Sequence, residues 1–188
     1  ESKPKNLTTA QKKQVFANAS GWVLEAGSAL SGNDNTDADP EVLVAIGDLS
    51  TSIGAADITE VEMVTTTADK SDGFTISVRV RYNEPVDVVT TGGTPTLAVT
   101  NGNEGTGTGR GPHSLSYASG TGTNELIFSL AIAAANAATN ADDVLSVGAQ
   151  TIALNSGTIK DASGTASDAA LVISGALGTA AGSVTVTA

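Results

Sequence analysis

Cysteine is absent from the 188-residue chain, which excludes disulfides, thiolate zinc sites and cysteine nucleophiles together. Aromatic residues make up only 3%, so a cleft that stacks sugars on ring faces has little to be built from. The single histidine, His113, allows a Ser-His-Asp triad in one place only and no two-histidine metal site within one chain. No run of about 18 apolar residues occurs, so no helical membrane span is expected. The charged start ESKPK lacks the apolar centre of a secretion signal. Basic residues are also scarce: 9 Lys and Arg against 20 Asp and Glu give a net charge of -11. Nucleic-acid affinity rests on neutralising phosphates with Lys and Arg, so neither nucleic acid nor membrane is an expected partner.

What is plentiful is small and aliphatic. Twenty-one glycines among frequent Val, Ile, Leu and Ala favour short strands joined by many turns. The clearest strand is GFTISVRVRYNEPVDVV, residues 73–89. Phe74, Ile76, Val78, Val80 and Tyr82 alternate with Thr75, Ser77, Arg79 and Arg81, the period-2 pattern of one buried and one wet face. Asn83-Glu84-Pro85 interrupts the alternation before Val86 resumes it. Arg79 and Arg81 are expected on a solvated face, paired across strands with Glu60 or Glu62.

Further strands are expected around 57–66, 94–100, 113–118, 124–132, 144–148, 151–154, 170–173 and 183–187. Eight or nine short strands at intervals of about 8 to 12 residues, with no long helices between them, imply an antiparallel sandwich. Ahead of it, Asn6-Leu7-Thr8-Thr9 reads as the capped start of a short helix carrying Val15 and Phe16. GWVL and EVLVAI read as two strands that pair as a hairpin, and LSTSIGAA, residues 49–56, as a linker. The organisation expected is thus an N-terminal arm over 1–54 and a sandwich domain over 55–188. Residues 1–20 carry a net +3 and the remainder -14, so a basic arm precedes an acidic body.

Four segments of the second part, VRYNEPVDVV, GTPTLAVTNG, LSYASGTGTNELIFSLAI and IALNSGTIKDASG, resemble in order the bacterial Ig-like domains of surface proteins and tailed-bacteriophage structural proteins. The resemblance spans about residues 57–188 and implies an Ig-like antiparallel β-sandwich. The leading GWVLEAGS and EVLVAIGDLS are similar to the leading region of marine bacteriophage proteins that decorate capsids. That similarity implies a non-enzymatic virion protein on the outer capsid surface, its arm bound to the major capsid protein and its Ig-like domain projecting. The residues expected to grip the shell are Lys12, Lys13, Val15, Phe16, Trp22, Val23 and Leu43, and a trimer would suit a three-fold position of the lattice. A module of a bacterial adhesin and a carbohydrate-binding fibre head are the alternatives.

Two loops invite chemistry. Asp34, Asp37, Asp39 and Glu41 offer the hard oxygens that Ca²⁺ takes, but the segment lacks the sixth-position glycine and distal glutamate of an EF-hand, so a solvated turn is expected and no metal or other cofactor is assigned. The glycine-rich 101–112 has neither the lysine nor the following helix of a phosphate loop and reads as a connector. His113, after Pro112, is expected at the surface.

Overall fold

The computed structural model describes residues 3–101, 112–163 and 166–188; most of the glycine-rich connector, 102–111, lies outside the described residues. The N-terminal part holds helix α1 (Thr9–Lys12), strands β1 (Val15–Asn18), β2 (Gly21–Leu24) and β3 (Glu41–Ala45), and helix α2 (Leu49–Ser52). The larger part begins with β4 (Ile58–Met63), β5 (Ala68–Asp69), β6 (Phe74–Val89), β7 (Thr96–Asn101), β8 (His113–Ser119) and β9 (Thr123–Ile132). It ends with β10 (Val144–Ser146), β11 (Gln150–Thr151), β12 (Thr158–Asp161), β13 (Val172–Ile173), helix α3 (Gly175–Ala180) and β14 (Ser183–Thr187).

The fold is all-β and sandwich-like, as the strand spacing predicts. Hydrogen-bonded neighbours run β12-β6-β9-β8-β7-β10-β14-β5, with β4 on β6 beside β12. Every pairing is antiparallel except β14 with β5. This path folds over itself, so Leu145, Val184 and Val186 of β10 and β14 join Ile76, Val78, Val80, Leu126 and Phe128 of β6 and β9 in one apolar cluster. The β6–β9 register sets Ile76 against Leu130, Val78 against Phe128 and Val80 against Leu126, so both strands turn the same alternate residues inward. The ring of Tyr117 meets Phe128 edge-on at 6.1 Å between centroids, a favoured aromatic geometry. Aliphatic side chains build nearly all of this core, consistent with the poverty in aromatics.

The N-terminal part is a three-stranded antiparallel sheet in the order β1-β2-β3. Thr8 caps α1 through a reciprocal box with Gln11, as read from the sequence. The helix ends at Lys12, however, and Val15-Phe16 belong to a strand. β-branched and aromatic residues favour that state, and β1 finds a partner in β2, with Phe16 opposite Val23. The hairpin of β2 and β3 forms as expected. Val15, Ala17, Trp22 and Leu24 gather with Leu49 of α2 into a second apolar cluster, separate from the first. The segment 49–56 is therefore no loose linker: Leu49 closes the small core and Ala56 belongs to the large one.

Strand β6 also departs from expectation at Asn83-Glu84-Pro85. The alternation continues unbroken, with Tyr82, Glu84 and Val86 all buried. What changes is the pairing, which shifts register against β9 between Arg81 and Val86, a bulge that accommodates a proline without a donor. On the other edge β4 starts opposite Tyr82 and β12 ends opposite Val86, so Glu84 occupies the gap between them. Its carboxyl is wholly buried. Oε2 accepts from the Ser163 hydroxyl at 3.2 Å, which also lies 2.5 Å from Asp161 Oδ1 and 2.9 Å from the Ser50 carbonyl.

Burial, followed by the charges of Asp161 and Asp57, pushes the Glu84 pKa up to about 7. A carboxyl raised in the folded state stabilises fully below its unfolded value, and that contribution fades as pH rises through the folded one. In chelator-containing buffer, wild type should therefore lose about 1–3 kcal/mol relative to Glu84→Gln between pH 5 and 8. Urea midpoints of the two proteins across that range check this; a difference independent of pH would contradict it.

Candidate functional site

The outward face of β6 is where the two parts of the chain meet. Cross-strand register places Arg81 opposite Glu60 of β4 and Glu125 of β9, and Arg79 opposite Glu62. Both arginines form the ion pairs that this register allows. Arg79 binds Glu62 and reaches Glu125 at 3.5 Å; Arg81 binds Glu125 and lies 2.7 Å from Glu60. Pairing with Glu60 and Glu62 is the sequence expectation. The solvated setting is not, because the N-terminal sheet covers this face and leaves the Arg81 side chain only 12% exposed.

From that sheet, Glu25 offers one carboxylate oxygen to Arg81 at 3.3 Å and the other to the Asn124 amide at 3.0 Å. Lys13 meets Glu60 at 2.6 Å. Burial works against the charge of Arg81, but Glu125, Glu25 and Glu60 outweigh it and hold its pKa above the ordinary value. Glu60 is likewise desolvated, yet hydrogen bonds from Lys13 and Arg81 keep its pKa low. Glu25, with burial dominant, is shifted upward. Lys3 donates to the Lys12 carbonyl at 2.8 Å, and burial lowers its pKa to about 8.

The structure divides the residues expected to grip a partner. Val15, Trp22 and Val23 are 1%, 4% and 0% exposed, and Phe16 is buried too. Their apolar surface is consumed inside this chain, because alternate residues of β1 serve two contacts: Val15 and Ala17 the small core, Phe16 the side that packs toward β6. Lys13 is engaged with Glu60. Lys12 is half-buried at the end of α1. Leu43 alone among the apolar set stays open. It lies on β3, the edge of the small sheet, where every residue is exposed. Val42, Leu43 and Val44 are 50%, 38% and 40% exposed, and a register shift at Leu43 sets Val44 opposite Trp22 and Val42 opposite Val23. Sequence reasoning missed Val42 and Val44, although the run EVLVAI contains them.

Asp34, Asp37, Asp39 and Glu41 are all exposed. Asn33 and Asn35 side chains accept from the backbone two residues on, the local turns such residues favour. Among the described residues no three carboxylate or imidazole side chains converge on one metal position. His113 is not at the surface but 6% exposed, its Nε2 3.1 Å from the Thr139 hydroxyl. Segment 133–143 folds over the start of β8; burial lowers the imidazole pKa, while Asp143 acts in the opposite sense. No protein-family model matches this chain, and no curated protein or solved structure is significantly similar to it.

Removing a partly buried cation surrounded by carboxylates leaves like charges facing one another, which is costlier than the pair's net worth. Arg81→Met should therefore cost about 2–4 kcal/mol and loosen the N-terminal sheet first. Trp22, the single tryptophan, sits in the small core and reports this directly. Its emission should shift at lower urea than the far-ultraviolet dichroism, whereas coincident, unmoved transitions would refute the arrangement's importance.

Proposed function

We propose that this chain is a non-enzymatic bacteriophage structural protein that decorates or cements the capsid exterior. The N-terminal sheet binds the major capsid protein, and the sandwich projects outward. The observation that carries the reading is the exposed Val42-Leu43-Val44 run on an edge strand, since consecutive exposed apolar residues are otherwise avoided on soluble surfaces. An edge strand also leaves backbone donors and acceptors for a partner segment to pair with.

The contact surface differs from that expected of an extended arm. Val15, Phe16, Trp22 and Val23 act indirectly: they stiffen the sheet that presents β3, so less conformational freedom is lost on docking. The ion network on β6 fixes that sheet to the sandwich, which gives the outward domain a defined direction. The resemblance of residues 57–188 to Ig-like domains of phage structural proteins supports the same reading.

Particles of the encoding virus that lack this chain should bind the purified protein in co-sedimentation, with density at regular lattice positions by electron microscopy. Leu43→Asp should weaken binding at least tenfold, about 1.4 kcal/mol or more, and leave the melting temperature within about 2 °C, as expected for a surface change. Undiminished binding would move the contact away from β3, and absence of the chain from purified virions would end the reading.

A further inference from the structure

We propose that Glu84, Asp161, the Ser163 hydroxyl and the Ser50 carbonyl form a calcium site that staples the N-terminal part to the sandwich. Four oxygens from three separate segments meet here. The Ser163 hydroxyl lies 2.5 Å from Asp161 Oδ1, 2.9 Å from Ser50 O and 3.2 Å from Glu84 Oε2. The Ser163 backbone N–H also donates to Asp161 Oδ1 at 2.6 Å, but one hydroxyl hydrogen cannot serve three acceptors, so once Glu84 is ionised these contacts leave oxygen lone pairs facing one another.

A second observation is independent of that crowding. Glu84 Oε1 is buried with no hydrogen-bond partner, on a side chain that is 0% exposed. Such an orphaned carboxylate oxygen is costly in the absence of a positive partner. Among the described residues no Lys or Arg forms an ion pair with Glu84 or Asp161; the nearby Lys160 is paired to Asp168 instead.

The donor set points to calcium. All of its members are hard oxygens, mixing carboxylate, hydroxyl and backbone carbonyl, and Ca²⁺ accepts such irregular sets at about 2.3–2.6 Å where Mg²⁺ demands a near-ideal octahedron. Oxygens sharing one such ion touch one another, as these do. A cleft of about 250 Å³ lined by Asn18, Thr51, Pro85 and Ala162 opens beside Ser50 and Ser163. It provides an entry path and room for waters that complete the shell. Two carboxylates place the affinity in the weak range of extracellular modules, Kd about 10⁻⁴–10⁻³ M.

The position gives the ion a structural consequence. Ser50 belongs to α2, next to Leu49 of the small core, while Glu84 and Asp161 belong to β6 and to the end of β12. One ion would bind both parts where the chain passes between them.

The test uses the full chain, dialysed against chelator at pH 8 and titrated with CaCl₂ alone, followed by calorimetry and by thermal melts read from Trp22 emission. Binding should saturate at one ion per chain, and the melting temperature should rise by about 3–6 °C at tenfold the Kd. Asp161→Asn and Glu84→Gln should each weaken binding at least tenfold. Ser163→Ala removes a neutral ligand and should weaken it severalfold in a protein that folds normally, so the test survives if a carboxylate variant does not fold. Asp37→Asn with Asp39→Asn should leave binding unchanged. No heat and no shift at 20 mM Ca²⁺, an equal response to Mg²⁺, or full affinity in the Glu84 and Ser163 variants would overturn the assignment.

Discussion

The ion network centred on one guanidinium joins the two parts of this protein. Arg81 stands on the outward face of the central strand and receives carboxylates from Glu60, Glu125 and Glu25, residues far apart in the chain. A planar fork with five donors can satisfy three such partners at once, whereas an ammonium on a flexible stem could not fix their geometry. Because the group is largely covered, its charge is tolerable only while those partners are present. The N-terminal sheet is therefore less an appendage than a lid that shares the charge balance of the surface below it.

The energetics of the two parts differ accordingly. The sandwich closes a large aliphatic cluster from strands that share hydrogen bonds along one continuous path. Among the described residues the N-terminal part has three short strands and a small core of four residues from β1 and β2 with Leu49 from α2, an assembly too small to be stable by itself. Its order depends on contacts made outward to β6, and local opening of the molecule should begin there. The exposed apolar edge of β3 is then carried by the least independent part of the fold, with rigidity supplied by the strand beneath.

Much of the architecture is written in period-2 alternation. The positions of β4, β7, β8, β9, β10 and β14 follow from it, whereas β12 (Thr158–Asp161) does not; the pairing of Arg79 and Arg81 with Glu62 and Glu60 follows as well, since neighbouring strands place those residues side by side. Other features depend on long-range contacts that no local pattern carries. Val15 and Phe16 look like a helical anchor until β2 is available as a partner. Glu84 looks like a pattern break because a carboxylate seldom faces a core; only the gap between β4 and β12 makes that orientation possible. His113 seems exposed until segment 133–143 covers it, and α3 (GALGTA) has no periodic signal, with Leu177 as its one large apolar residue. Glu25 could not be foreseen at Arg81, because nothing local links a residue after β2 to the middle of β6.

The exposed apolar edge of β3 sits on a molecule whose net charge is -11. Copies of the chain free in solution would meet through β3 only by bringing two strongly acidic bodies together, and that repulsion reaches about 8 Å at physiological ionic strength. The acidic body thus acts as a brake on self-adhesion through the exposed strand. The same brake is weakened by salt, so the colloidal behaviour of this protein is governed by ionic strength as well as by the strand itself.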